Sequence, residues 1–326
     1  MRFSIIVPLF NKAPYVAKAV QSVLDQTFSD YELVIVDDGS TDASVEIAAK
    51  VIEGHAQCRL VTQKNAGVSM ARNNGVAASQ GDFLCFLDAD DWWEPRFLEE
   101  MNQLVSEFPE AGIYGTSYTI VNETKQKTRV ASIGVDKGFV KGYVDYCQTY
   151  ARTMYMPLWT GAVCIPRLVF EEMRGFPQGV KLGEDFLLWI HIALRYNVVF
   201  LNKPLAFYNQ DVEASNRGVG RLHKPEEHML WNLTDLEPIE KTNPNYKQLV
   251  DNLRTYGLMP YYISKEYHEA AQQELAKVDW SRQPDKVQRE YKRPIGLLRL
   301  KHKLMKIGSI IKLKLISCTN GTSNRN

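Results

Sequence analysis

An α/β fold is predicted: a mainly parallel central sheet flanked by helices, with a helical extension at the C-terminal end. Three observations predict it. Short apolar runs alternate with stretches of helical periodicity through the first hundred or so residues, which is the pattern of strands joined by crossover helices. The apolar runs are nearly continuous, as expected for strands buried on both faces. Three polar clusters, Pro8–Asn11, Asp37–Ser40 and Asp88–Asp91, stand just after such runs. In parallel sheets, ligands bind beyond the carboxyl ends of the strands.

Taken in order, Phe3–Val7 reads as a buried strand. Val16, Ala19, Val20, Val23 and Leu24 recur at helical spacing, and Pro14 suits a first turn. Leu33–Val36 is a second strand ending in Asp37-Asp38-Gly39-Ser40, and a helix from about Asp42 to Ile52 follows with Ser40 or Thr41 as cap. Arg59–Thr62 is a third strand, Val68–Ala78 a helix, Phe83–Leu87 a fourth strand and Pro95–Phe108 a helix. From Tyr114 to Tyr208 the pattern loosens. Gly161–Ile165 and Val198–Leu201 read as strands, and Phe186–Leu194 as a helix that buries Trp189. From Pro225 to Trp280 the composition is helical and polar, with tyrosines at 256, 261, 262 and 267.

The chain of 326 residues fits about two domains. Its 45% hydrophobic and 24% charged residues are globular proportions, which exclude wholesale disorder. With 39 Lys+Arg against 38 Asp+Glu the formal net charge is +1, and nothing points to nucleic acid. The charge is uneven, however. Residues 291–326 hold nine Lys/Arg and no acid, leaving 30 basic against 38 acidic groups elsewhere, a net of −8. Five widely spaced cysteines without a CxxC argue against a disulfide framework or a zinc site and fit a reducing cytoplasm. The apolar run near Met1 is too short for a signal peptide, and no stretch is long enough to span a bilayer.

The acids carry the chemistry. Asp88, Asp90 and Asp91 place three carboxylates in four residues, which repel unless a cation or hydrogen bonds compensate. Hard cations such as Mg²⁺ and Mn²⁺ take one or two carboxylates and complete their shell from substrate phosphates. The competing reading is a solvated turn whose acids cap the next helix. Asp38 can accept an N–H from a base edge such as N3 of uracil, or belong to a capped turn. Arg72 follows the glycine-started Asn65-Ala-Gly67 and has a phosphate, the acid cluster or the surface open to it.

These clusters, in this order, carry a resemblance to family 2 glycosyltransferases, which have the Rossmann-like GT-A fold. The matching stretches are Ile5-Ile-Val-Pro8-Leu-Phe10-Asn11, Val36-Asp-Asp-Gly-Ser-Thr-Asp42, Asn65-Ala-Gly67, Ala71-Arg72-Asn73, Gly81-Asp-Phe83 and Phe86-Leu-Asp-Ala-Asp-Asp91. The resemblance covers about residues 1–210. It implies a nucleotide-sugar-binding half over 1–110, an acceptor-binding half over 111–220 and a helical region over 221–326. It further implies inverting transfer of a sugar from a nucleotide diphosphate, usually UDP, to a hydroxyl, with Mn²⁺ or Mg²⁺. The acceptor it points to is a glycan or lipid-linked glycan in surface polysaccharide or lipopolysaccharide synthesis. By the same resemblance Asp90 is the direct metal ligand and Asp88 lies near the ribose or the metal. Asp38 contacts uracil, while Pro8, Phe10, Asn11 and Asn65, with Arg72 as a weaker candidate, line the nucleoside pocket. Gly183-Glu184-Asp185 resembles the family's Glu-Asp motif, making Asp185 the expected base and Glu184 its runner-up. Trp159-Thr160-Gly161-Ala162 resembles the segment beneath the acceptor, and Trp189 is expected in the core. Relatives often carry a His after the strand ending at Tyr208; here either Asp211 replaces it as a metal ligand or fewer protein ligands hold the metal, and His191 and His223 are read as structural.

Two other readings stand. A nucleotidyltransferase would want a Gly-rich basic loop, but the first loop offers only Lys12. A non-catalytic nucleotide-sugar-binding module would not need acids in both halves. At the basic end, Leu297, Leu300, Leu304, Ile307 and Ile311 form a helical stripe with Arg299, Lys303 and Lys306 mostly opposite, while Lys301 and Lys312 blur it. Residues 295–316 therefore either lie on an anionic membrane, making the protein peripheral, or pack on the body of the protein.

Overall fold

The computed structural model describes residues 2–122, 124–211 and 222–304. Ten strands form one sheet: β1 Phe3–Leu9, β2 Tyr31–Asp37, β3 Cys58–Thr62, β4 Phe83–Phe86, β5 Trp92–Trp93, β6 Ala111–Asn122, β7 Lys127–Val130, β8 Lys141–Val144, β9 Val163–Pro166 and β10 Asn197–Asn209. The main path runs β3-β2-β1-β4-β9-β6-β10-β5, with β7 beside β6 and β8 beside β10. The block β3-β2-β1-β4 is parallel throughout. β9 runs antiparallel to both its neighbours, and β6 and β10 are parallel to each other. The crossovers are the helices α1 Val16–Leu24, α2 Ser44–Val51, α3 Val68–Ala77 and α4 Phe97–Glu107. The later α5 Tyr146–Thr153, α6 Arg167–Glu172 and α7 Glu184–Ala193 belong to the second half.

Burial explains the strands. Phe3, Ile5, Ile6, Val7 and Leu9 of β1, and Leu33–Val36 of β2, are fully inaccessible, so both faces are covered. Helix α1 buries Val16, Ala19, Val20 and Val23 as its spacing predicts. The expected cap of α2 differs. Ser40 and Thr41 lie too early; Asp42 Oδ1 accepts the Ser44 N–H at 3.0 Å, while Ser40 Oγ accepts the Asn11 N–H at 3.1 Å. The predicted cap residues are thus used to tie the first two loops together. Two long strands exceed the sequence reading. β6 is buried along all twelve residues although Gly112, Gly115, Thr116 and Ser117 lie within it. β10 continues past Leu201 through register shifts around Pro204. A proline lacks the N–H that a regular ladder needs, so an irregularity is where it fits.

The chain divides into two compact units, Met1–Leu249 and Val250–Asn326. Within the second unit, helices Met259–Ile263, His268–Leu275 and Asp285–Tyr291 pack through tyrosines. Tyr261 lies 5.8 Å from Tyr267, and Tyr262 lies 5.3 Å from Tyr291, ring centre to ring centre. Arg254 is completely buried and meets Glu274 at 3.3 Å and Asp251 at 3.6 Å. Among the described residues no helix is long and apolar enough to cross a membrane.

Candidate active site

The site is built on the loops that leave β1, β2 and β4, which are adjacent in the sheet. After β1, Asn11 adopts a left-handed backbone, with φ of 51°. Its Oδ1 accepts the Thr41 N–H at 2.8 Å. After β2, Asp38 is almost fully buried. Its Oδ1 accepts from Gln63 Nε2 at 2.8 Å and Ala66 N at 2.7 Å, and its Oδ2 from Gly67 N at 2.9 Å. Asn65 Nδ2 donates to the Asp38 carbonyl at 2.9 Å. Asp38 therefore shapes the 63–67 loop, with Asn65 as part of that clamp. Gly39 is required here: its φ is +78°, and a Cβ would come within 3.2 Å of the Asn65 nitrogen. Pro8 sits in β1 opposite Val36, while Phe10 stands 44% exposed beside this loop cluster.

The acid turn follows β4. Lys12 Nζ donates to Asp90 Oδ2 at 2.6 Å. Asp91 is buried and its Oδ1 accepts the Asn209 N–H at 2.8 Å. Arg72, buried in α3, spans two acids: Nη2 to Asp88 Oδ1 at 2.8 Å and Nη1 to Glu184 Oε1 at 3.0 Å. That guanidinium also lies 5.0 Å from the Phe176 ring centre. Asp88 and Glu184 are 96 positions apart, and one side chain brings them together.

Glu184 and Asp185 open α7, where the helix dipole favours negative charge. The preceding Gly183 is left-handed, and a Cβ there would strike Met229. Asp185 Oδ2 accepts from Thr160 Oγ1 at 2.8 Å, and its Oδ1 from Phe186 N at 2.7 Å. Thr160 begins the short turn Thr160–Ala162 that leads into β9. Neighbouring Trp159 stacks against Tyr118 at 5.6 Å and leans on Tyr208 at 4.2 Å.

Charge is unbalanced in this cluster. Asp88, Asp90, Asp91, Glu184 and Asp185 face two cations, Lys12 and Arg72. Burial pushes the Asp91 carboxyl well up, reinforced by Asp90 and Asp88. Burial also raises Asp90, against the pull of Lys12, and raises Glu184 with Asp185's help, against Arg72. Burial alone would weaken the Arg72 charge, but Asp88 and Glu184 outweigh it and the group is held more firmly protonated.

Among the described residues no three His, Cys, Asp or Glu side chains converge as a complete metal cage. The surplus negative charge and the hard oxygen donors of Asp88 and Asp90 nevertheless fit a divalent ion that completes its shell from a diphosphate and water. Asp211 Oδ1 accepts the Thr124 N–H at 3.2 Å, and its own N–H donates to Asn209 Oδ1 at 2.9 Å, next to the Asn209 N–H that bonds Asp91. Arg72 joins Asp88 and Glu184 directly, with Asp90 and Asp185 beside them in sequence, while Asn11 ties to Thr41 and Asp38 to Asn65. Sequence reasoning missed the roles of Lys12 and Thr160, whose partners lie 78 and 25 residues away. Trp189 is fully buried, as expected. His191 bonds the Leu187 carbonyl and Asp235, a structural arrangement; His223 is buried beside Glu227.

The raised Asp91 has a pH consequence. In the unfolded chain it loses its proton near the ordinary value of about 3.9, whereas the native site keeps it to higher pH. Its contribution therefore favours the native state below that value and is lost as pH rises. Cation-free Asp91→Asn, whose amide oxygen still accepts from Asn209, is expected to match or exceed the wild-type Tm, with a smaller fall in Tm between acidic and neutral pH. A Tm loss that is equal at all pH values would refute this charge account.

Comparison with known proteins agrees with this architecture. Residues 4–160 match the model of the family described as Glycosyl transferase family 2. Glycosyltransferase GlyA of Streptococcus pneumoniae is 34% identical over 215 residues, covering 64% of this chain and 30% of that protein. Uncharacterized glycosyltransferase EpsJ of Bacillus subtilis is 38% identical over 118 residues, covering 35% of this chain and 34% of its own. The chain spans about a third of the length of the curated relatives it matches. Among solved structures, Staphylococcus aureus TarS 1–349 in complex with UDP-GlcNAc superposes with a TM-score of 0.66 at 20% identity, over 84% of this chain and 78% of that one. The mannosyltransferase PcManGT of Pyrobaculum calidifontis, in complex with GDP-Man and Mn²⁺, gives 0.52 at 16% identity, over 86% and 88%.

Proposed function

Residues 4–160 belong to glycosyl transferase family 2 on a GT-A scaffold, and from there we propose that the protein is an inverting glycosyltransferase. It moves a sugar from a nucleotide diphosphate, best read as UDP, to a hydroxyl of a glycan or lipid-linked glycan. The observation that carries this reading is the placement of acids from both halves around one guanidinium, Asp88 on one side and Glu184 on the other. On this reading the first half serves the donor and the second the acceptor, joined at one charged cluster. That TarS was solved with UDP-GlcNAc, and PcManGT with GDP-Man and Mn²⁺, supports a nucleotide-sugar donor and a divalent ion.

Each residue then has a task. The loops after β1 and β2 form the nucleoside pocket: Pro8, Phe10 and Asn11 line it, and Asp38 and Asn65 set its wall. Asp90 and Asp88 would hold Mn²⁺ or Mg²⁺, which when bound neutralises charge on the departing diphosphate. Arg72 fixes Asp88 and Glu184, so that Glu184, the runner-up as base, is a positioning residue. Asp185 takes the proton from the acceptor hydroxyl as it attacks the anomeric carbon. Thr160 holds one of its oxygens and thus the direction in which the other faces. Lys12, paired with Asp90, is a cation available to the diphosphate. Asp211 is kept as the candidate third oxygen ligand. The pathway that fits is surface polysaccharide or lipopolysaccharide assembly.

The test is a donor screen. With Mn²⁺ present, UDP-glucose, UDP-galactose, their N-acetyl forms and GDP-mannose are compared by thermal shift, since a ligand that binds only the native state raises Tm. A UDP-sugar is expected to give the largest rise, and incubation with acceptor to release UDP. Release of pyrophosphate instead would overturn the assignment, as would tight UDP binding with neither hydrolysis nor transfer.

A further inference from the structure

The second compact unit carries a feature that sugar transfer does not use. Residues 295–304 are helical. Leu298 is buried, and Arg299 donates to the carbonyls of Ile263 and Ser264 at 2.8 and 3.2 Å, so this side holds the helix to its unit. A helix anchored in this way is expected to present polar residues outward. Instead Leu297, Leu300 and Leu304 are 59%, 53% and 59% exposed. Their spacing of three and four places them on one stripe. At 3.6 residues per turn, Lys301 and Lys303 flank that stripe on opposite sides.

The charge of the surrounding sequence selects the occupant. Residues 291–326 contain nine Lys/Arg and no Asp or Glu. A second copy of the chain would set this basic segment against itself, and like charges across an interface oppose association. An anionic lipid surface matches both parts: leucines enter the headgroup–acyl boundary while lysines reach phosphate. Ile307 and Ile311, and the lysines at 306 and 312, lie outside the described residues. They contribute here only through composition.

We propose that the Leu297/Leu300/Leu304 face of this helix is a docking surface for an anionic bilayer, holding the chain at a membrane surface. This goes beyond the assignment of sugar transfer and does not depend on it.

The experiment uses the full chain. Co-sedimentation is measured with vesicles of phosphatidylcholine alone and of phosphatidylcholine mixed with phosphatidylglycerol, at low and high salt. Pelleting is expected with the anionic vesicles only, weakened by salt as basic contacts are screened. The triple variant Leu297→Ser, Leu300→Ser, Leu304→Ser is expected to lose at least about tenfold in partition, a small part of what burying three leucines can give. Its Tm should stay at the wild-type value, because these side chains are already in water. Equal pelleting by wild type and triple variant would overturn the proposal, and so would equal binding to neutral vesicles. A vesicle-free dimer abolished by the serines, with no anionic-lipid binding, would also overturn it and identify a second copy as the occupant.

Discussion

Asp185→Asn is expected to lower the transfer rate by about 10²–10⁴-fold, the range a positioned general base supplies. The amide has nearly the shape of the carboxylate. It still accepts the Phe186 N–H and meets Thr160, so α7 should start unchanged. What it cannot do is take a proton. The loss should therefore appear in kcat, with donor affinity and Tm close to wild type. Thr160→Val is the companion variant. It removes the hydroxyl that bonds Asp185 but leaves the proposed base itself, so a smaller loss of kcat is expected, with Asp185 still required. Full turnover by Asp185→Asn across a broad donor panel would remove this residue from the mechanism.

Asp90→Asn is expected to cost at least about 100-fold in transfer, since outer-sphere partners of metal ligands alone are worth about 10–100-fold. Here the defect should appear earlier, in binding. Calorimetry of UDP with and without Mn²⁺ is the measurement: the wild type should bind UDP more tightly with the ion, and the variant should show little difference. The substitution also deprives Lys12 Nζ of its carboxylate partner. Some compensating affinity for the diphosphate is then expected from the released ammonium, so Lys12→Met in the same background separates the two effects. A variant that keeps the wild-type dependence on Mn²⁺ would show that the ion is held elsewhere.

The legible part of the fold was the part written locally. β1, β2 and β4 are apolar runs closed by polar clusters, and both signals lie within a dozen residues. β6 was not legible, because Gly112, Gly115, Thr116 and Ser117 interrupt its apolar run, while the two glycines leave room on its faces for Tyr196 and Leu158. At Gly115 a Cβ would come within 2.7 Å of Leu158. β10 was cut short by Pro204, whose cost is absorbed by an irregular register. In the site, the acids themselves were visible as motif residues. The links between them were not: Lys12 to Asp90, Arg72 to Glu184 and Thr160 to Asp185 are contacts between distant positions, and no local pattern encodes a distant partner. Asp38 was read as a contact for a base edge or as part of a capped turn, and the sequence did not show that its carboxylate accepts three hydrogen bonds from the 63–67 loop.

The guanidinium of Arg72 has a consequence for anyone who would recombine this chain with its relatives. Exchanging only the later half, to import a different acceptor preference, leaves α3 behind with an inaccessible positive group that expects a carboxylate from the transplanted helix. Asp88 stays behind with Arg72, so the hybrid loses one of two carboxylate partners, and with it part of the roughly 3–5 kcal/mol that a wholly unpaired buried ion would cost. Crossovers that ignore this rivet should melt at a lower temperature than those that move α3 and α7 together.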